Sequence, residues 1–307
     1  MSLRIRTNVQ SLVAQRWMGE STANVGKYTE RLSSGFRINK SADDAAGFAI
    51  AEVLRADIRG LTQARRNAND GVSLIEVAEG GLHEINNIMI RLRELSIQAA
   101  SDTIGGRERQ YLNQEFTALK DEVDRIAIGT EFNGTRLLVG NSDIPDELRE
   151  GHNSSPLEIQ VGKDYFIDND SLEAHNPINI IRLDFSKMNA FTQGEGSLGI
   201  GNSQNEEGTR IDNKIDAQNT INKLDGAMEK IASYRASLGS VQNRLEKTDT
   251  AIAIAVENLG AAKSRIKDTD FAADTAKLTQ STILQQAGAS VLAQANQAPN
   301  IALKLLQ

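Results

Sequence analysis

Cysteine is absent from the 307-residue chain, so the sequence excludes disulfide bonds and thiolate metal sites. Aromatic residues make up only 4%, whereas large globular cores usually contain more Phe, Tyr and Trp. No apolar run approaches the length of about 18–20 residues that spans a bilayer. The first residues contain no continuous apolar segment typical of a cleaved secretory signal. This composition favours helices that pack through small and aliphatic residues.

Recognisable catalytic motifs are also missing. The sequence contains three histidines, His83, His152 and His175. A zinc-peptidase motif that begins at His83 would need a second histidine where Asn87 stands. The segment "GEGSLGIG" lacks the Lys-Ser/Thr of a P-loop, and no Ser or Thr has a marked base partner. The neighbouring acids Asp43 and Asp44 fit a helix start capped by Ser41. We therefore expect no enzyme activity, no metal site and no cofactor.

Charge is distributed unevenly along the chain. The net charge is −7, but residues 1–66 contain 11 Lys and Arg against 6 Asp and Glu, whereas residues 141–208 contain 4 against 13. The acidic middle is typical of solvated surface. The Arg residues of the basic start are scattered, without clusters or interleaved aromatics, so we expect no nucleic-acid partner.

Apolar residues recur in steps of three and four over most of the chain. Such steps run through 58–99 and 109–128, and a heptad pattern without a miss runs through 238–266. Together with the stretch from Ile211 to Ile231, the last pattern predicts a helix of nearly 60 residues, on the order of 85 Å long. A rod of that length needs other long helices beside it. Gly80 and Gly81 predict a register slip with a bend or local unwinding.

The segment between residues 140 and 208 has a different character. "LEIQVG" and "NIIRLDF" alternate apolar and polar residues and predict strands. The predicted fold is therefore mainly α, a long antiparallel helical coiled-coil or bundle hairpin formed by N- and C-terminal arms, with a small β-rich insertion. The predicted parts are 1–40 and 269–307 as a terminal helical domain, 41–140 and 209–268 as a rod of long helices, and 141–208 as the insertion.

Both ends carry apolar residues at helical spacing, diluted by Ala, Gln and Asn. The candidate packing residues are Leu3, Ile5, Val9, Leu12, Ile283, Leu284, Val291, Leu292, Ile301, Leu303, Leu305 and Leu306. Burial of one Leu contributes roughly 1.5–3 kcal/mol. These ends could fold onto the chain's own body or wait for a partner. The polar dilution favours a partner, because it keeps each stripe soluble in a monomer.

Several long motifs identify a relationship. Near the start stand "NVQSLVAQR", "LSSGFRINKSADDAAGFAIAE", "ANDGVSLIEVAEGGLHEINNIMIRLRELSIQAA" and "TEFNGTRLL". Near the end stand "LGSVQNRLE", "AAKSRIKDTDFAADTAKLTQSTILQQAGASVLAQANQAP" and "LKLLQ". Over residues 3–140 and 225–307 the chain resembles bacterial flagellin.

The resemblance implies a structural subunit of the flagellar filament, used for swimming. Its two termini would pair as helices in the inner tube of the filament, the long helices would form the next shell, and the insertion would point outward. It implies export through the flagellar type III apparatus to an extracellular filament. The implied partners are other copies of the chain, an export chaperone, and the filament cap and hook–filament junction proteins.

The resemblance also implies a surface that an innate receptor of an animal host could recognise. Arg91, Leu95 and Glu115 occupy the matching positions, although Leu95 also belongs to the helical seam, and Arg91 and Glu115 could instead serve axial packing of subunits. Two alternatives to the filament subunit stay open. A hook–filament junction protein shares both termini but usually departs from "LGSVQNR" and the "DTDFA" stretch. A secreted, membrane-active translocon protein would need stronger amphipathic faces with a basic side, so membrane insertion is not expected.

Overall fold

The computed structural model describes residues 7–140, 156–164, 178–194, 196–201 and 208–305. Their helices are α1 (Val9–Ser34), α2 (Ala45–Ala99), α3 (Gly106–Gly129), α4 (Lys214–Lys267) and α5 (Phe271–Leu305). Their strands are β1 (Glu131–Phe132), β2 (Thr135–Arg136), β3 (Leu157–Gln160) and β4 (Ile180–Leu183). The chain divides into two compact units, one made of residues 1–58 and 256–307 and the other of residues 59–255.

The predicted fold class is confirmed. The expected long C-terminal helix is α4, with 54 residues, and the two expected strands are β3 and β4. These strands pair antiparallel, from Leu157 opposite Leu183 to Gln160 opposite Ile180. The short β1–β2 hairpin turns at Asn133 and Gly134, whose φ angles of 51° and 79° suit a two-residue turn of the kind that Asn-Gly favours.

Side-chain caps define where the first two helices begin. The Ser11 amide donates to Asn8 Oδ1 at 3.1 Å and starts α1. The predicted Ser41 cap of α2 is wrong, because α2 begins at Ala45 and Asp44 Oδ1 accepts the Gly47 amide at 2.9 Å. Asp43 instead closes the preceding turn, where it accepts the Asn39 and Lys40 amides, and the Lys40 amide lowers its pKa.

Within the unit of residues 59–255, α2 and α4 run antiparallel. Three ion pairs join them, Arg65–Asp249 at 2.8 Å, Glu79–Arg235 at 3.3 Å and Arg93–Asp225 at 2.7 Å. Their numbers rise along α2 while they fall along α4. The core between the helices is aliphatic and alanine-rich; its fully buried members include Ala68, Ile75, Ala78, Leu82, Ile85, Met89, Leu92, Leu224, Ala227, Ile231 and Leu245.

The expected unwinding at Gly80 and Gly81 is wrong, because α2 is helical throughout. Buried residues continue across the glycine pair as Ile75, Ala78 and Leu82, so the stripe does not slip. A β-carbon at Gly81 would overlap the Thr130 hydroxyl and lie 2.9 Å from Leu138 Cδ1, whereas a β-carbon at Gly80 would meet nothing within 4 Å. Gly81 is therefore a close-approach residue that lets the β1–β2 hairpin pack on α2.

We expect Gly81→Ala to destabilise the protein by about 1–3 kcal/mol, because the new methyl group overpacks against Thr130 and Leu138. Gly80→Ala is the matched control, and it should stabilise the same helix by about 0.5–1 kcal/mol because the site is open. Urea unfolding followed by circular dichroism measures both changes. Equal effects of the two substitutions would contradict the assigned role of Gly81.

One face of α3 carries a buried lysine and a half-buried aspartate. Lys120 is 2% exposed, its ammonium donates to the Thr209 carbonyl at 3.1 Å, and it lies 5.7 Å from the centre of the Phe116 ring. Burial lowers the pKa of Lys120 to about 8, against the opposing influence of Asp121 and Asp124. Asp124 accepts the Thr192 amide and hydroxyl, each at 2.8 Å, and burial raises its pKa. Both side chains attach the irregular segment after β4 to α3.

The lowered pKa of Lys120 predicts that stability rises with pH. Above pH 8 the folded chain releases this proton, while the unfolded chain keeps it up to about pH 10.5. Across this window the residue should add on the order of 3 kcal/mol to the free energy of unfolding. Lys120→Met should remove that increase, as measured by urea unfolding at pH 7, 8, 9 and 10. The same pH slope in the variant and the parent would contradict the assignment.

Candidate functional site

Helices α1 and α5 pack against each other within the unit of residues 1–58 and 256–307. Their shielded residues recur in steps of three and four along both helices. On α1 they are Ser11, Ala14, Met18, Ser21, Val25, Tyr28 and Leu32; on α5 they are Asp274, Leu278, Ser281, Gln285, Gly288, Leu292 and Ala295. This is the heptad spacing of a coiled-coil seam, which we call the terminal seam.

The terminal seam is unusually small and polar. At Gly288 a β-carbon would lie 3.7 Å from Met18 Cβ, an ordinary contact distance, so α5 packs on α1 at this position. Three hydrogen bonds link the helices: Asn8 Nδ2 donates to the Ala295 carbonyl at 2.8 Å, Ser11 Oγ to Asn296 Oδ1 at 2.8 Å, and Gln285 Nε2 to Thr22 Oγ1 at 3.0 Å. Low residue numbers on α1 therefore meet high numbers on α5, so the helices are antiparallel.

Eight of the fourteen seam residues are small or polar, and several large apolar side chains of both helices face outward. Leu284 is 53% exposed, Val291 55% and Trp17 56%. Together with Val9 and Val13 they line a groove with a volume of about 960 Å³ between α1 and α5. Leu12 and Ile283 are exposed outside this lining. We call the groove and these two residues the outer apolar face.

The outer apolar face contains most of the candidate packing residues that the structure describes. Val9, Leu12, Ile283, Leu284 and Val291 are exposed on it, whereas Leu292 lies in the terminal seam. Ile301, Leu303 and Leu305 lie in α5, but their side chains are outside the described part, as are Leu3, Ile5 and Leu306. Sequence reasoning missed Val13 and Trp17, which follow Val9 on the helical spacing of one face.

At the other end of the terminal seam, Asp274 is buried among hydrogen-bond donors and cations. Thr269 Oγ1 donates to it at 2.5 Å, and the Lys277 and Arg31 side chains lie 3.7 and 4.0 Å away. Sequence reasoning missed this residue, although the helix-start pattern "DTDFAAD" contains it. Asp274 fixes the start of α5 against the end of α1.

A second cluster joins the linker after α1 to the end of α4. Lys267 lies 3.3 Å from the Glu52 carboxylate and 5.1 and 5.7 Å from the Phe36 and Phe48 ring centres. The Arg37 amide donates to the Lys267 carbonyl at 2.7 Å. The two connections that lead to α1 and α5 are therefore held together, which aligns the starts of the paired helices.

The three residues of the expected receptor surface are not equivalent. The Arg91 guanidinium donates to Glu115 at 2.8 Å and to Glu94 at 3.1 Å, and these carboxylates raise the pKa of Arg91. Both ends of the Arg91–Glu115 pair are exposed. Leu95 is fully buried in the core, so a partner that binds the folded unit meets the ion pair and not Leu95.

Within the ranges that the structure describes, no group of three or more His, Cys, Asp or Glu side chains could hold a metal ion. None of the described helices is long and apolar enough to cross a membrane. The outer apolar face, in contrast, exposes several large apolar side chains around one groove. Exposed contiguous apolar surface of this kind marks an interaction site. The fold is that of a helical protein whose paired terminal helices expose an apolar groove.

Comparison with known proteins identifies that class further. The model of the bacterial flagellin N-terminal helical region matches residues 5–143, and the model of the C-terminal helical region matches residues 221–306. The chain is similar to the flagellar filament 33 kDa core protein of Treponema phagedenis, with 38% identity over 99% of both chains. It is also similar to polar flagellin C of Vibrio parahaemolyticus, with 36% identity over 100% of both.

A solved structure from Vibrio parahaemolyticus, named as a flagellar hook-associated protein, matches 74% of this chain and 100% of its own, with 14% identity and a TM-score of 0.54. At that identity the likeness shows a shared fold alone. The chain belongs to the bacterial flagellin family. It is therefore a structural subunit of the flagellar filament.

Proposed function

We propose that the chain polymerises by burying its outer apolar face between neighbouring copies of itself. The observation that carries this proposal is that Leu284, Val291 and Trp17 are more than half exposed although α1 and α5 are already paired. Each buried Leu or Val contributes roughly 1.5–3 kcal/mol. The five large apolar residues of the groove together therefore supply a substantial driving force against the free-energy cost of association.

In this proposal the contact between copies joins different surfaces of each subunit, and its rotation and rise do not close into a ring. Repetition of such a heterologous contact generates an open helical filament. In this proposal, the terminal pair of residues 1–40 and 269–307 forms the inner tube. The long helices of 41–140 and 209–268 form the surrounding rod, and residues 141–208 point outward.

The same proposal includes how the chain reaches the filament. It is exported unfolded through the flagellar apparatus and becomes extracellular. An export chaperone covers its C-terminal helix before export, and filament cap and hook–filament junction proteins contact it at the two ends of the filament. It acts without catalysis, cofactor, nucleic acid or membrane insertion. The full-length likeness to flagellins supports this family role.

Leu284→Asp should abolish filament formation, because it places a carboxylate in the groove that a neighbour would cover. Leu284→Met is the matched control and should polymerise like the parent, since it keeps the volume and the apolar character. Electron microscopy scores filaments. Emission of Trp17, the single tryptophan, should shift to shorter wavelength on assembly of the parent and the control only.

Circular dichroism should show that the Leu284→Asp chain keeps its helical content, since Leu284 is more than half exposed in the single chain. Normal filaments from the Asp variant would reject the outer apolar face as the assembly surface. An unshifted Trp17 emission in parental filaments would also contradict the proposal.

We also propose that the exposed Arg91–Glu115 pair forms part of a surface recognised by an innate receptor of animal hosts. Both side chains are accessible and lie 2.8 Å apart, so a polar partner could replace their mutual contact. Leu95 supports this surface from the core without touching the partner.

Purified monomer should activate receptor-bearing reporter cells, and Arg91→Ala combined with Glu115→Ala should reduce that response. The matched control is Glu122→Ala combined with Arg125→Ala, which removes another exposed ion pair of α3 and should leave the response unchanged. A silent parental monomer, or equal responses of the two double variants, would reject this assignment.

A further inference from the structure

The terminal seam leaves the relative register of α1 and α5 weakly determined by apolar packing. Its shielded residues include Ser11, Ala14, Ser281, Gly288 and Ala295, which bury little apolar surface. If α5 slid along α1 by seven residues, each heptad position would again face a heptad position. The contacts of Asp274 and Lys267 hold the start of α5 beside the end of α1, so the register that remains to be chosen is the one along the rest of the paired helices, toward Asn8 and Ala295.

Two side-chain hydrogen bonds supply that choice. Ser11 bonds to Asn296 at 2.8 Å, and Thr22 accepts from Gln285 at 3.0 Å. The two positions are eleven residues apart on α1, from 11 to 22, and eleven apart on α5, from 296 to 285. Eleven residues make about three turns of an α-helix, so both pairs lie along the same side of the seam and fit one register together.

A slipped register loses both bonds. With α5 displaced by one heptad in either direction, Thr22 would face Leu278 or Leu292, and neither leucine offers a polar atom. In the direction that brings Leu278 to Thr22, Ser11 would face Ala289. Polar residues at a coiled-coil seam are known to specify register at some expense of stability, and the terminal seam provides two of them.

We infer that the Ser11–Asn296 and Thr22–Gln285 pairs are positioning residues that set the register of the terminal helices. They thereby align the two walls of the groove, Val9, Val13 and Trp17 on α1 with Leu284 and Val291 on α5. A slip of one heptad displaces these walls by about 10 Å. The consequence for assembly rests on the proposed function, whereas the register itself does not.

Engineered cysteine pairs can read the register, because the natural chain has no cysteine. Met18→Cys with Gly288→Cys reports the observed register, since a Gly288 β-carbon would lie 3.7 Å from Met18 Cβ, within the range of about 3.5–4.5 Å for a disulfide. Met18→Cys with Ser281→Cys, or with Ala295→Cys, reports a slip of one heptad in either direction. The full-length chain is oxidised and the cross-linked fractions are compared on non-reducing gels.

In the otherwise natural chain, the Gly288→Cys reporter should dominate. Ser11→Ala combined with Gln285→Leu should lower the ratio of observed to slipped cross-links by about tenfold, the factor expected when two net hydrogen bonds are lost. Thr22→Ser is the matched control, which keeps the hydroxyl that accepts from Gln285, and its ratio should stay at the parental value.

An unchanged ratio in the Ser11→Ala, Gln285→Leu chain would overturn the inference. Loss of all three cross-links would overturn it as well, because the pairs would then hold the helices together and not select their register. Filament formation is scored separately by electron microscopy. A parental chain with the observed register but without filaments would contradict the proposed function and leave the register assignment standing.

Discussion

The terminal helices α1 and α5 bury little apolar surface between them, and the exposure of their remaining apolar side chains follows from this constraint. Ser, Ala and Gly occupy many positions of the seam between α1 and α5, so only part of the large apolar side chains of the two helices lies inside it. Leu284, Val291 and Trp17 must then face away from the seam. A seam filled with leucine would have made a more stable single chain, but it would have left little apolar surface for a neighbour.

The unit of residues 59–255 follows the opposite rule. Its helices bury Ile75, Leu82, Ile85 and many similar residues completely, and ion pairs fix α2 against α4. Two residues of this unit that are not large and apolar also pack inside it. Gly81 leaves space for the residues that flank the β1–β2 hairpin, and Lys120 donates to a backbone carbonyl in the core. This unit can therefore be stable without a partner. The terminal pair differs because many of its large apolar side chains are still exposed.

Periodicity in the sequence was sufficient to predict the helices and the β3–β4 strands, because each buries a continuous face. It did not separate Leu292, which lies in the seam, from Leu284 and Val291, which face outward, since all three lie on helical spacing. The relevant signal was the small residues, which mark the seam. The roles of Gly81 and Lys120 could not be predicted from periodicity either, because these residues contact Thr130 and Thr209, which are distant in sequence.

The small, polar seam also relates the folding of the terminal pair to its assembly. Hydrogen bonds such as Ser11–Asn296 contribute only about 0.5–1.5 kcal/mol each in net terms, while ordering the backbone of one residue costs roughly 1–2 kcal/mol. Paired helices of 26 and 35 residues therefore gain modest stability from their own contacts. In the proposed assembly, further stability comes from covering the outer apolar face. The contacts that select the register are thus distinct from those that supply the driving force, and a subunit gains the second only when a neighbour joins it.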